Sequence, residues 1–340
     1  MILKKILVIN INWIGDAVFS SPVFKAIKQA YPQSKISCLA VPRIKDILDC
    51  IPYIDEIIIY DEARRHRSIL GKLNLIMNLR QKNFDSVFIL HKSMTRAAMA
   101  FMAGIPIRVG YDTKKRGIFL THKVPFPRYD IHRADYYLNV IEYMGIKIQD
   151  RHTRIMPLAK AITSIEKKLK DNGINKDDKF VIINPGGNWD LKRWDKKNYA
   201  LVIKKLAEFS QIKIIITGAE KDKPLAEEIK KISGIKSVII LAGNTTLAEM
   251  IALLSKATLV ISADTGPLHI ANSTGTDVVA IFGPTRPELT GPRGTGKATV
   301  LHKYIGCNRK ACYQLKCKDN ICMQAVTVYD VVNAARPFLI

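Results

Sequence analysis

Asp16 is a carboxylate placed where an apolar run ends. Residues 6–32 read ILVININWIGDAVFSSPVFKAIKQAYP; the β-branched run breaks at Asn12-Trp13-Ile14-Gly15-Asp16 and then turns helical. A carboxylate at such a junction suits two tasks. As an N-cap it accepts a backbone N–H one turn on, and Pro22 just beyond fits a helix start. As a general base it takes the proton of an acceptor hydroxyl facing an activated phosphate leaving group.

Groups suited to phosphate collect in the second half. In NPGGNWDLKRW (184–194), Gly186 and Gly187 let backbone approach a ligand closely, and Lys192 brings a point charge for phosphate oxygens. An ordinary turn with a solvated lysine is the competing reading. In SADTGPLHIANSTG (262–275), Asp264, Thr265 and Gly266 end an apolar run, and a helix starting near Pro267 aims its first amides at an anion. Asp264 also suits a cap, and His269 also suits a structural histidine. Together the two loops point to a diphosphate pocket. TGAEKD, LAGNTT and FGPTRPE extend the same rim of Gly, Thr and Asn.

Two nucleotide motifs fall short. Only Gly15 follows the first apolar run, so the G-x-G-x-x-G of a nicotinamide enzyme is absent. GPRGTGKAT (291–299) fits G-x-x-x-x-G-K, yet Ala298 stands where a P-loop needs Ser or Thr, and a strand-like run follows. It reads as a Gly-rich turn. Cys307, Cys312, Cys317 and Cys322 are spaced evenly by five, which permits a zinc site but puts successive thiols on different helix faces, so buried thiols are the simpler expectation. Arg309, Lys310, Lys316 and Lys318 would lower those thiols' pKa.

The elements that must position these residues alternate. KILVINI, KISCLAV, EIIIYD and SVFIL are interleaved with helical stretches such as SPVFKAIKQAYP and RIKDILDCI. After a charged, low-signal stretch the pattern restarts with FVIINPGG and continues through KIIITGAE, SVIILAG, ATLVISADTG and DVVAIFGPT. This predicts an α/β fold of two doubly wound halves joined near residues 155–178, with ligands beyond the carboxyl ends of the strands.

The 340 residues suit two domains, and 53 Lys and Arg against 30 Asp and Glu give a net charge of +23. Residues 1–150 hold 23 basic and 13 acidic groups and the remainder 30 and 17, so the excess is spread rather than held in a tail. That favours an anionic partner and disfavours a nucleic-acid-binding arm. The opening MILKKILVI is too short and too quickly polar for a secretion signal, and no window approaches a membrane span. A cytoplasmic protein resting on a membrane surface is expected.

Taken together, NWIGDAVFSSPVFKAIKQAYPQSKI, AGIPIRVGYDTKKRGIFLTHKV, INPGGNWDLKRW and SADTGPLHIANSTGTDVVAIFGPTRPELTGPRG resemble the motifs of the ADP-heptose:lipopolysaccharide heptosyltransferases of glycosyltransferase family 9, most of all the branch adding the second inner-core heptose. The likeness runs over nearly the whole chain. It implies a GT-B architecture of two Rossmann-like domains facing a cleft: 1–165 on the acceptor side, 166–324 binding the nucleotide sugar, and a helix at 325–340 returning to the first domain. It implies inverting transfer of heptose from ADP-heptose to a lipid-linked core oligosaccharide, with Asp16 as base and no cofactor or metal required. By position, Gly186, Gly187, Asn188, Lys192, Asp264, Thr265, Gly266 and His269 would hold the donor, with Glu220 or Asp222 on its ribose. Lys92, Arg96, Arg116 and Arg133 would meet acceptor phosphates or carboxylates. Partners would be ADP-heptose, the core acceptor and peripherally the cytoplasmic face of the inner membrane, with no nucleic acid. Another nucleotide sugar or surface glycan is the alternative. Gly187-Asn188 replaces the family's frequent Thr or Ser pair, and Ser93-Met94-Thr95-Arg96 shifts its usual Ser-x-Arg by one.

Overall fold

β-branched runs buried on both faces build parallel sheets, because helices on each side leave no face for water. In a computed structural model, which describes residues 3–209, 212–307, 312 and 317–339, the chain divides into two units at Met156 and Pro157. The first carries β1 (Lys5–Ile9), β2 (Lys35–Ala40), β3 (Glu56–Ile59), β4 (Ser86–Ile89), β5 (Ile107–Tyr111) and β6 (His122–Val124). All neighbours pair parallel in the order β3-β2-β1-β4-β5-β6. The second carries β7 (Phe180–Asn184), β8 (Lys213–Ile216), β9 (Ile239–Ile240), β10 (Leu259–Ala263), β11 (Val278–Phe282) and β12 (Ala298–His302). Its order is β12-β11-β10-β7-β8-β9. Numbered from its own first strand, that is the same winding, and it is the dinucleotide-fold order. The α/β expectation of two doubly wound halves holds.

In each sheet the winding reverses between the first and fourth strands of the unit, which are β1 and β4, then β7 and β10. Strand ends part there, and a crevice opens beyond their carboxyl ends. Several residues singled out from the sequence follow these four strands, whereas Glu220 and Asp222 follow β8, Arg116 follows β5 and Arg133 opens the helix Arg133–Glu142. Asp16 follows β1, Lys92 follows β4, Gly186 to Lys192 follow β7, and Asp264 to Gly266 follow β10.

The helix Ala159–Asp171 belongs to the second unit, so the division falls before it rather than at residue 165. The helix Val328–Ala335 also differs from expectation. It buries Val331, Val332 and Ala335 in the second unit's core with Val202, Ile203 and Leu206, rather than against the first domain. Trp194 donates its ring N–H to the Val326 carbonyl at 2.9 Å, tying this segment to the end of the 184–194 loop. Among the described residues, no helix is long and apolar enough to cross a membrane.

Candidate active site

In the first unit, the helix Ile14–Phe19 starts directly after the β1 loop, with Trp13 rather than Asp16 at its N-cap position. Asp16 is therefore inside the first turn, and its carboxylate is free of capping duty. Tyr137 donates its hydroxyl to Asp16 Oδ1 at 2.7 Å, and Arg133 Nε lies 3.8 Å from the same oxygen. Both come from the helix Arg133–Glu142, one turn apart on its inner face. Burial first, then the Asp16 charge, raises the Tyr137 pKa well above its ordinary value, so the phenol stays a donor.

Lys92 joins this cluster from the β4 end. Its ammonium lies 4.9 Å from the Phe126 ring centroid and 5.0 Å from that of Tyr136. Burial, followed by Arg133, Lys114 and Arg116, lowers its pKa, while Asp16 acts in the opposite sense. The result is one carboxylate bordered by cationic groups at the switch point, an arrangement that accepts a hydroxyl proton and an anionic substrate together.

Arg96 and Arg116 do not reach outward as expected. Arg96 is 2% exposed and donates to the Asn10 carbonyl and Asn12 Oδ1, each at 2.8 Å, with Glu62 at 3.4 Å. It clamps the loop that carries the chain to Asp16. Arg116 is wholly buried and donates to the carbonyls of Tyr111 and His91. Both guanidiniums thus hold neighbouring loops, Arg96 through backbone and side-chain acceptors and Arg116 through backbone carbonyls. His91 accepts from the Ser93 N–H at 3.0 Å, and burial, then Arg96, Arg116 and Lys114, lowers its pKa to about 4.

In the second unit, β7 and β10 end side by side. Asn184 donates to Ser262 Oγ at 3.1 Å and to Thr265 Oγ1 at 3.2 Å, locking the two loops together. Lys192 Nζ lies 2.7 Å from Asp264 Oδ2 and donates to the Asp264 carbonyl at 3.3 Å. His269 Nε2 lies 3.0 Å from Asp264 Oδ1. Burial works to raise the Asp264 pKa, but its bonds to His269 and Lys192 prevail and hold the carboxyl well below the usual range. Asp264 is thus a fixed anion that holds Lys192 in place. Thr265, not Asp264, occupies the N-cap position of the helix Gly266–Ser273.

The glycines are needed for close approach. A Cβ on Gly186 would sit 2.5 Å from Asp222 Oδ2, and one on Gly187 would meet the Thr265 methyl at 3.3 Å. Lys221 Nζ reaches Asn188 Oδ1 at 2.6 Å, joining this loop to the one after β8. Asp222 is buried, and its Oδ2 accepts the Ala219 N–H at 3.0 Å, which gives it a capping role. Glu220 is exposed beside Gly243, whose φ of +79° and crowding by the Glu220 carboxylate both exclude a side chain. Of the two acids offered for a ribose, Glu220 is the one open to a ligand.

Among the described residues no group of three or more His, Cys, Asp or Glu is placed to hold a metal. Cys307 is exposed, and Cys312, Cys317 and Cys322 are half-buried free thiols. Burial raises the Cys322 pKa. Arg309, Lys310 and Lys316 lie outside the described residues.

The sequence pattern of glycosyltransferase family 9 (heptosyltransferase) matches residues 72–319. Lipopolysaccharide heptosyltransferase 2 of Escherichia coli K12 is 26% identical over 90% of both chains. Lipooligosaccharide heptosyltransferase 2 of Campylobacter jejuni is 28% identical over 95% of both. Among solved structures, the family 9 glycosyl transferase of Veillonella parvula superposes with a TM-score of 0.86 at 23% identity, covering 99% of this chain and 97% of its own. The Escherichia coli ADP-heptose heptosyltransferase II gives 0.79 at 21%, covering 98% of both.

Proposed function

This chain belongs to glycosyltransferase family 9, the heptosyltransferases, and on that premise we propose that it moves a heptosyl group from ADP-heptose to an inner-core lipopolysaccharide acceptor with inversion at the anomeric carbon. That it is a glycosyltransferase follows from the family; donor, acceptor and stereochemistry are our reading. The observation that carries it is the division of chemistry between the two switch points. A base flanked by cations, Asp16 after β1 with Lys92 after β4 and Arg133 from a helix, lies in one unit, and an aimed lysine, Lys192 after β7 on Asp264 after β10, lies in the other.

Asp16 takes the acceptor hydroxyl proton as the oxygen bonds to the anomeric carbon, and the carbon–oxygen bond to ADP breaks on the opposite face. Tyr137 holds the carboxylate in place for that step. Lys192 and the amides at the start of the helix Gly266–Ser273 stabilise the charge gathering on the departing diphosphate. Glu220 faces the ribose hydroxyls. Lys92 and Arg133 meet anionic groups of the acceptor, while Arg96 and Arg116 position the loops beneath them. The reaction sits at the cytoplasmic face of the inner membrane, where a lipid-linked acceptor is presented.

Nucleotide release tests the donor. Incubated with a truncated core acceptor, the protein should release ADP from ADP-heptose and leave UDP-sugars intact. Release of UDP alone would move the chain to another nucleotide sugar.

A further inference from the structure

The helix Ile69–Gln81 packs Leu75, Ile76 and Leu79 into the first unit's core but leaves four large apolar side chains in water. Ile69 is 76% exposed, Leu70 73%, Leu73 45% and Met77 59%. At 100° per residue these positions span about a quarter of the helix circumference, so they form one stripe rather than scattered singles. Arg80 continues the row at its far end, three residues after Met77. Scattered exposed apolar residues are ordinary, whereas a continuous row marks an interaction surface.

The same side of the unit carries more of this kind. The helix Met94–Met102 shares the core of Leu75, Ile76 and Leu79 through Ala97, Met99 and Ala100, and exposes Phe101 and Met102. Phe101 lies 5.7 Å from the Phe119 ring, and Ile118, just before Phe119, is 76% exposed.

The charge around the stripe is mostly positive. Between Glu62 and Asp130 the chain has fourteen Lys and Arg but only two acids, Asp85 and Asp112. Arg64, Arg65 and Arg67 are exposed immediately before the helix, and none of them, nor Lys72 or Arg80, makes an ion pair among the described residues. The approach to the helix is built rather than loose. Ser68 caps it by accepting the Gly71 N–H at 3.0 Å, His66 is buried and accepts the Asp61 N–H at 2.9 Å, and the Arg65 carbonyl would clash with any Cβ on Gly71. Glycine is what allows the arginine-bearing turn to lie against the first turn of the helix.

An apolar row that dips below headgroups, with unpaired arginines at headgroup level that outnumber the nearby acids Asp61 and Glu62, matches the chemistry of an anionic lipid surface. We propose that the face formed by Ile69, Leu70, Leu73 and Met77, with Arg64, Arg65 and Arg67, docks the first unit on a bilayer containing anionic phospholipid. The inference deepens the reading of a lipid-linked acceptor and rests on it for its purpose, since the docking helix belongs to the unit that carries Asp16, Lys92 and Arg133. The binding itself needs no sugar.

Co-sedimentation with vesicles of phosphatidylcholine and phosphatidylglycerol, compared with phosphatidylcholine alone, provides the test. The full chain should bind the anionic vesicles and not the neutral ones. Leu70→Glu with Leu73→Glu should weaken binding about tenfold or more, and Arg64→Gln with Arg65→Gln and Arg67→Gln should weaken it and flatten its salt dependence. All these side chains are exposed, and an unchanged thermal midpoint confirms folding. Equal vesicle binding by the wild type and both variants overturns the proposal, as does a wild type that binds no anionic vesicle. Light scattering that shows a wild-type dimer and a monomeric Leu70→Glu, Leu73→Glu variant, with vesicle binding unaltered, assigns the face to a second copy and overturns it too. Transfer to a lipid-free core oligosaccharide, run alongside, should be unaffected by these variants. Its absence even in the wild type would count against the proposed reaction and leave the docking result standing.

Discussion

The Tyr137 hydroxyl donates to Asp16 Oδ1 at 2.7 Å across 121 residues of sequence. A base that must meet a hydroxyl in one orientation gains from a donor that occupies one carboxylate oxygen and leaves the other open. Tyr137→Phe keeps the ring and deletes that donor. We expect kcat to fall about tenfold to a hundredfold, with the dissociation constant for ADP unchanged by calorimetry. A matching loss of ADP affinity would instead assign Tyr137 to the structure of the whole chain.

Arg96 and Lys92 should separate by what they disturb. Arg96→Lys cannot span the Asn10 carbonyl and Asn12 Oδ1, so stability should fall by about 2 kcal/mol and kcat should fall with it as the Asp16 loop loosens. Lys92→Ala should leave stability within about 1 kcal/mol and raise the acceptor KM. Urea denaturation and initial rates on the same preparations give both readings.

Lys192→Ala and Asp264→Asn should each weaken ADP-sugar binding, the first by removing the charge and the second by letting the lysine wander from 2.7 Å. About tenfold or more is expected for each, and the double variant should lose less than the product because the two act as one unit. Independent, additive losses measured by calorimetry would show that Asp264 does not work through Lys192.

His91 predicts a pH dependence of stability. Its pKa is lowered to about 4 in the folded chain against about 6.5 unfolded, so the unfolded chain binds the extra proton between those values. Stability from this group is therefore full above about pH 6.5 and is lost as pH falls toward 4. The shift limits the effect to roughly 3 kcal/mol, and partial exposure brings it to about 1–2 kcal/mol. In His91→Asn, urea midpoints measured across this window should lose that part of their slope.

Much of the fold could be read from the sequence because buried parallel strands are written as uninterrupted apolar runs, as in Val181 to Ile183 and Val278 to Phe282. The strands Ile107–Tyr111 and His122–Val124 escaped notice, since Arg108, Lys123 and His122 interrupt the apolar signal at the edge of the first sheet. That Lys192 and Asp264 come together could be anticipated because both follow strands directly, and strand ends converge by topology. Tyr137 could not, because no local pattern records a contact with Asp16. Arg96 and Arg116 looked like surface cations because burial of a guanidinium depends on distant carbonyls, which composition does not reveal. That Asp222 is buried and holds the Ala219 amide could not be read either, because only the folded turn brings the two together.

The most direct measurement incubates the protein with ADP-heptose and a set of truncated inner-core acceptors and weighs the products, with Asp16→Asn in parallel. One acceptor should gain the mass of a single heptosyl residue with the wild type, and that product should fall about a thousandfold or more with Asp16→Asn while ADP-heptose affinity is retained. Undiminished transfer by Asp16→Asn, or no heptosyl gain on any acceptor with the wild type, would contradict the account.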